Sequence, residues 1–425
     1  MLEYKLLHED SGSFVDLLGS PVVFLHDINT LPNFQKIISE IDGIEKYERS
    51  LPIARPEDIV ITKYQPEKAY LQWLQENGLG SKKIITLNGN TTDTLPERVI
   101  KYNAKEILQT TLGNQRKDAV ISPYYGGPME HQASKYLGLE MYADPNKVIK
   151  YDSKINFKTF CKELWVPVLD GSICEVTPSM LDLVDAINYN IAKTGKVIVK
   201  GEFGASASTT YVLDHIDYNK IREIQKSSQL GAKYIVEPFY ETFSQPSSVW
   251  FISKDKKIVH LRTSNQLLDE GTSHIGNEFP VDFDEKLVQR ISYRIVKRLS
   301  ADDFIGPLGI DFVETKEGMF VAECNPRVTG AMYPWELVYR LERNATIKAA
   351  RAQNIFLSKR GLQFKDLLKV WKDLLYNGQN AESSIIPFNV GPVAEGKVSI
   401  LGTGSSRNDV KELFDNVQSS LIKLT

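Results

Sequence analysis

The sequence predicts a mixed α/β and α+β chain, with a small parallel-sheet α/β unit in its first third and a different, strand-rich pattern after it. Three observations carry this expectation. Short apolar runs alternate with helical patterns through the first third of the chain. Beyond about Tyr136 the order shifts to strands that follow one another through short turns. Finally, two apolar strands joined through Lys316-Glu317-Gly318 bring acidic side chains to neighbouring strand ends.

In order, Pro21 to Leu25, Ile59 to Thr62, Lys83 to Leu87 and Asp118 to Ser122 read as strands. Gln65 to Asn77 and Thr94 to Thr111 read as helices, with apolar spacing of three and four. Lys147 to Leu164 reads as one helix, Ile198 to Lys200 and Thr209 to Leu213 as strands around a loop, and Tyr234 to Pro238 as a further strand. Ser248 to Ile252 and Ile258 to Arg262 form a hairpin over Lys254 to Lys257. Asp284 to Leu299 is a helix whose Leu287, Val288, Ile291, Ile295 and Leu299 share one packing face. After Trp335 the pattern is largely helical to Asn377, followed by Ser384 to Asn389, Gly396 to Leu401 and a helix from Asn408 to Leu421.

Composition excludes several classes of function. At 425 residues the chain exceeds what one core usually serves. Its 51 basic and 54 acidic side chains leave no basic excess for a nucleic-acid surface. No apolar run approaches the roughly 20 residues needed to span a bilayer, so no membrane partner is expected. The start, Met1-Leu2-Glu3-Tyr4-Lys5, lacks a secretory pattern, and Cys161, Cys174 and Cys324 lack metal-ligand spacing. Both point to a reducing, cytoplasmic setting. Strand alternation turns Cys324 away from its neighbours Glu323 and Asn325, as a small core residue.

Chemistry concentrates in three stretches. Gly309 to Val313 is followed by Glu323-Cys324-Asn325-Pro326-Arg327-Val328-Thr329-Gly330. Asp311, Glu323 and the amide oxygen of Asn325 are hard oxygen ligands for Mg²⁺ or Mn²⁺, with phosphate oxygens completing the shell, and Arg327 would face a phosphate or a substrate carboxylate. The same acids could also sit solvated on a plain hairpin. Lys196 to Thr210 couples an apolar strand ending in Lys200 to the small-residue loop Gly201 to Ser208, in which Gly204, Ala205 and Ser206 would let backbone N–H groups approach phosphate. Taken alone, such a loop is as readily an ordinary turn. Ile235 to Tyr240 ends a strand with Glu237, Phe239 and Tyr240, a profile for a purine slot or for a proline-stiffened turn. Arg262 closes an apolar strand, where it could grip a carboxylate or lie on the surface. His274, in the loop Asp269 to Asn277, titrates in the range of a base for an incoming ammonium, and loop histidines are also often structural.

The order of strand-end lysine, flexible loop, acid-aromatic hinge and D…E-x-N-P-R resembles the ATP-grasp superfamily, over most of the chain. The resemblance implies an ATP-grasp fold, two α+β subdomains clamping ATP, preceded by a pre-ATP-grasp α/β domain. The units would be residues 1–145, 146–235 and 236–425, the second bearing the lid. Lys154 is similar to the first nucleotide lysine and Lys200 to the second, Gly201 to Ser208 to the phosphate lid, and Glu237, Phe239 and Tyr240 to the adenine hinge. Asp311, Glu323 and Asn325 match the metal ligands, and Arg327 the contact to phosphate or acyl intermediate. One departure stands out: the acid that holds ribose in most members is replaced by Gln245-Pro246-Ser247-Ser248-Val249.

Ser122-Pro123-Tyr124-Tyr125, Gly276 to Pro280 and Ile386-Pro387-Phe388-Asn389 look like the pheganomycin-type peptide ligases. That resemblance implies ATP-dependent joining of a small-molecule carboxylate to an amine, such as amino acids or peptides, through an acyl phosphate. It also implies a possible homodimer surface on the N-terminal domain. A small-molecule kinase, a carboxylase and a catalytically silent nucleotide-binding subunit are the alternatives on the same scaffold.

Overall fold

The computed structural model of the chain describes residues 12–33, 43, 46–90, 92–204, 209–269 and 273–424. The first sheet is parallel and holds β1 (Val22–Leu25), β2 (Ile59–Thr62), β3 (Lys83–Thr86), β4 (Val120–Pro123) and β5 (Glu140–Met141), in the order β3-β2-β1-β4-β5. Every residue of β1 and β2 is buried, which is why these strands read as continuous apolar runs. Val23, Leu25, Ile59 and Ile61 pack under the helices Leu95–Lys101, Ala104–Leu112 and Pro128–Leu137. Val22, Phe24 and Val60 belong instead to the large core shared with the rest of the chain. The small unit is therefore packed onto the larger one through one face of its sheet.

Two stretches expected as single helices are broken. Thr94 to Thr111 divides at Asn103, which adopts φ 51° before the second helix begins. Thr94 starts the first as an N-cap, in a reciprocal capping box with Glu97. Lys147 to Leu164 divides into Pro145–Asp152 and Lys154–Glu163. Between them Ser153 is extended, and its hydroxyl accepts from the Asn156 amide as the N-cap of the second helix. The break matters because it makes Lys154 the first residue of a helix rather than a mid-helix side chain.

The second sheet is antiparallel, with β6 (Ser172–Glu175), β7 (Val197–Gly201), β8 (Thr210–Leu213) and β9 (Lys233–Pro238) in the order β6-β9-β7-β8. Val197, Val199, Tyr234 and Val236 pack under the helices Leu181–Thr194 and Tyr218–Ser227. The third sheet has nine antiparallel strands: β10 (Thr242–Ser244), β11 (Pro246–Ile252), β12 (Ile258–Asp269), β13 (Ser273–Phe279), β14 (Gly306–Thr315), β15 (Gly318–Asn325), β16 (Ala349–Phe356), β17 (Ser384–Asn389) and β18 (Lys397–Gly404). Their order is β10-β14-β11-β12-β13-β16-β18-β17, with β15 on β14. Helix Glu285–Ala301 covers this sheet through Val288, Ile295 and Leu299, while Leu287 and Ile291 are only partly buried. None of the described helices is long and apolar enough to cross a membrane.

Two expectations are corrected here. The segment read as helical after Trp335 contains β16, whose Ala349-Ala350-Arg351-Ala352-Gln353 is made of helix formers; pairing with β13 and β18 overrides that local preference. The stretch read as a loop from Asp269 to Asn277 is largely hairpin: β12 runs to Asp269, and Ser273 onward is β13, so His274 stands on a strand. Residues 270–272 of that stretch lie outside the described residues.

At Gly276 the backbone of β16 comes close to β13. A Cβ there would lie 2.1 Å from the Ala352 carbonyl oxygen and 3.0 Å from Gln353 Cα. Because both are backbone atoms of a paired strand, Gly276→Ala is expected to destabilise the fold by about 1–3 kcal/mol, read as a shift of the urea midpoint.

Candidate functional site

The three sheets surround a cavity of about 1120 Å³. The first unit contributes Ile28 and Tyr124, the second Lys154, Lys200 and Gly204, and the third sheet Asp311, Glu323 and Asn325, with Arg327 two residues beyond the end of β15. The strand ends predicted from sequence do converge. Antiparallel pairing places Asp311 opposite Glu323, and a bulge follows immediately before Phe312. Ser247, on β11, lies opposite Asp311 from the other side.

Hydrogen bonds fix the orientation of the amide and the guanidinium. Asn325 Nδ2 donates to Asp311 Oδ2 at 2.8 Å, and Arg327 Nη2 donates to Asn325 Oδ1 at 2.6 Å. The Arg327 guanidinium also lies 5.4 Å from the centre of the Tyr124 ring. Lys154 Nζ reaches Glu323 Oε2 at 3.2 Å and donates to the Gly204 carbonyl at 3.1 Å. Gly204 is the last described residue of the loop; Ala205 and Ser206 fall outside the described residues.

The two acids are pushed in opposite directions. Burial raises the Asp311 pKa, the charge of Glu323 raises it further, and hydrogen bonds from Ser247 and Asn325 with the charge of Arg327 only partly oppose this. Burial also works against ionisation of Glu323, but Lys154 and Lys200 outweigh it and its pKa falls. One ionised and one reluctant carboxylate facing each other are a donor pair that a divalent cation would stabilise. Among the described residues no group of three or more His, Cys, Asp or Glu could hold a metal by itself. The donor set therefore suits a cation such as Mg²⁺, which takes one or two carboxylates and completes its shell with water and phosphate oxygens.

The expected purine hinge is arranged differently. Glu237 is buried, and its carboxylate is shared by Lys158 and by Lys200, the latter at 2.9 Å. Opposing burial, these two lysines hold its pKa below the usual carboxylate range. Neither Glu237, Phe239 nor Tyr240 is among the cavity-lining residues, and the Phe239 N–H already donates to the Lys196 carbonyl. Lys200 faces the cavity with Glu237 behind it.

Arg262 requires a correction. Its Nη2 donates to both carboxylate oxygens of Glu342, at 2.8 and 3.0 Å, and its guanidinium lies 4.4 Å from the Phe279 ring centre. It does not line the cavity and stands inside β12 rather than at a strand end; its partner, Glu342, lies 80 residues away in sequence and leaves no local mark.

His274 does line the cavity. Its Nε2 lies 2.7 Å from Asn277 Oδ1, and Asn277 Nδ2 donates to Ser264 Oγ at 3.2 Å. This chain makes Nε2 the protonated nitrogen and leaves Nδ1 with a lone pair. The cavity walls lower the His274 pKa, the Asn277 hydrogen bond opposes that, and the charges of Arg49 and Lys397 add to the lowering. The imidazole is thus neutral at neutral pH.

Sequence reasoning missed Ser247, Tyr47, Arg49 and Lys397, all on the cavity wall. Ser247 lay inside the noted departure from the ribose motif. Nothing local marks the other three, which converge from a loop of the first unit and from β18.

Residues 182–331 match the family model of the ATP-grasp domain. None of the curated proteins compared with the chain matches it. Among solved structures, a biotin carboxylase from Campylobacter jejuni superposes with a TM-score of 0.58 at 12% identity, covering 93% of this chain and 90% of the other. An N5-carboxyaminoimidazole synthase from Aspergillus clavatus gives 0.56 at 10% identity, covering 96% and 100%. The N5-carboxyaminoimidazole ribonucleotide synthetase from Thermus thermophilus gives 0.52 at 12%, covering 94% and 97%. At such identities the likeness speaks for fold alone, and it agrees with the three sheets and with the converging strand ends. The chain is built on the ATP-grasp fold, a mixed α/β architecture with its parallel sheet at the N-terminal end.

Proposed function

We propose that the chain is an ATP-dependent carboxylate–amine ligase that forms an amide, peptide-type bond through an acyl phosphate. The carrying observation is the convergence, on one cavity, of two facing carboxylates with Lys154, Lys200 and Arg327. In this reading Lys154, Lys200 and the loop from Gly204 through Ala205 and Ser206 hold the phosphates of ATP. Asp311, Glu323 and Asn325 hold Mg²⁺ or Mn²⁺, which when bound supplies charge neutralisation at the phosphates. A substrate carboxylate oxygen forms a bond to the terminal phosphorus as the bond to ADP breaks. The amine nitrogen then bonds to the acyl carbon as phosphate leaves. Arg327 faces the charge that develops on the phosphoryl oxygens, and His274 Nδ1 takes the ammonium proton. Glu237 serves by positioning Lys200, and Phe239 and Tyr240 border the adenine end.

The peptide-type assignment rests on the resemblance to the pheganomycin-type ligases, and with it go amino-acid or peptide substrates, a cytoplasmic setting and a homodimer. For the domains we keep 1–145 as the first unit and place the second border after Pro238 rather than at 235, because Lys233–Pro238 pairs as a whole within the second sheet. The names of the similar structures favour a second reading in which bicarbonate is the acid; bicarbonate dependence of ADP release would mark it.

Hydroxylamine tests the proposal without knowledge of the natural amine. With MgATP and a pool of carboxylates, the purified chain should release ADP and form a hydroxamate from one or a few of them. AMP in place of ADP would contradict the acyl phosphate.

The raised Asp311 pKa adds a pH dependence. Burial and the charge of Glu323 make the carboxyl group hold its proton to higher pH than a free carboxylate, so in acid a cation must displace a proton. Mn²⁺ affinity in the presence of ADP should fall about tenfold per pH unit in acid and level off above neutrality, as one linked proton requires. A titration at pH 6 and pH 8 that gave equal affinities would remove Asp311 from the metal site.

A further inference from the structure

Part of the cavity wall is cationic, carrying Arg49 and Lys397. Arg49 and Lys397 both lie over the Tyr47 ring, at 4.8 and 5.4 Å from its centre, and Lys397 Nζ donates to Tyr47 Oη at 2.7 Å. Among the described residues neither cation is in ion-pair contact with a carboxylate, and Arg49 Nε is buried with no hydrogen-bond partner. Glu395, on the same wall, pairs with Lys46 through Oε1, and its Oε2 has no hydrogen-bond partner. Two cations in ion-pair contact with no described carboxylate, held by one aromatic ring, are a ready site for an anion. Their place relative to the reacting end is also defined. Arg49 Nη1 and His274 Cε1 lie 3.4 and 3.7 Å from where a Cβ on Gly330 would sit, and Gly330 follows Arg327 by three residues.

We infer that Arg49 and Lys397 bind an anionic group of the amine substrate, remote from its reacting nitrogen. The inference rests on the ligase reading and narrows it to amines that carry a carboxylate, as an amino acid or peptide does, or a phosphate. The guanidinium pairs with the oxyanion in bidentate fashion, Lys397 adds a point charge, and the nitrogen is left near His274.

Matched amines test it: dipeptides against their C-terminal carboxamides, and phosphoethanolamine against ethanolamine. Turnover is read as ADP release in the presence of the carboxylate pool, and binding by saturation-transfer NMR on the MgADP-bound chain. The charged member of a pair should be favoured by about tenfold or more, the scale of a charge-assisted hydrogen bond. Lys397→Gln and Arg49→Gln should each bring that ratio towards one while leaving ADP binding intact. Which pair shows the preference tells carboxylate from phosphate. Equal use and binding of charged and neutral members, binding by none, or a preference that survives both substitutions overturns the inference. Adducts from neutral and charged amines alike would sink it and leave the ligase reading standing. Anion-dependent binding lost in Lys397→Gln, with no adduct from any pair, would keep the anion site and sink the ligase reading.

Discussion

Glu323→Ala is expected to lower nucleotide-dependent turnover by about 10²–10³-fold, the scale of removing one preorganised charge-stabilising group. The carboxylate stands at the end of β15 on the cavity wall, opposite Asp311 and 3.2 Å from Lys154. Its loss takes away the readily ionised member of the acid pair and leaves only Asp311, which burial still opposes in its charged form. The fold should tolerate the change, because the Glu323 side chain is 31% exposed and Lys154 keeps its hydrogen bond to the Gly204 carbonyl. A melting temperature within a few degrees of wild type, beside that loss of turnover, is the expected pair of readings. Near-normal turnover at saturating Mg²⁺ would mean that Glu323 does not hold the metal.

Lys200→Ala should separate chemistry from stability. Lys200 faces the cavity in front, and its ammonium rests on Glu237, whose side chain is only 5% exposed. Breaking a buried pair by removing one partner typically costs about 3–5 kcal/mol, because the other charge stays behind unpaired. Here Lys158 still faces Glu237, so the loss should fall below that range. Turnover should nevertheless drop by about 10²–10³-fold, the scale of losing one preorganised charge at the phosphate site. Turnover near wild type in Lys200→Ala, beside a lowered melting temperature, would make Lys200 a structural partner of Glu237 and not a phosphate ligand.

The sequence made some parts of this molecule legible and hid others, for physical reasons. The parallel sheet was readable because strands buried on both faces must be apolar throughout, as β1 and β2 are. The acids of β14 and β15 were readable as neighbours because a hairpin with a short turn brings those strand ends together, while the bulge before Phe312 is what sets Asp311 opposite Glu323. The helix break at Ser153 was hidden inside continuous helical periodicity, although serine followed by asparagine three residues on now reads as a capped start. Strand β16 was hidden because its alanines and glutamine favour helix, and only β13 and β18 on either side make it a strand. The roles of Arg262 and Glu237 turned on partners far away in sequence: Glu342 in one case, Lys158 and Lys200 in the other. Arg49 and Lys397 sit in no motif at all. Their meaning lies in sharing one tyrosine ring across 348 positions of sequence, which only the folded chain reveals.

The most direct test of the account is ADP release from the purified chain with MgATP, screened against single carboxylates, single amines and pairs of the two. Mass spectrometry of the same reactions looks for an adduct. The account predicts ADP and phosphate only when a carboxylate and an amine are both present, with a product lighter than the pair by one water. ADP formed with a single organic substrate that leaves phosphorylated, and no adduct, would make the protein a kinase and contradict it.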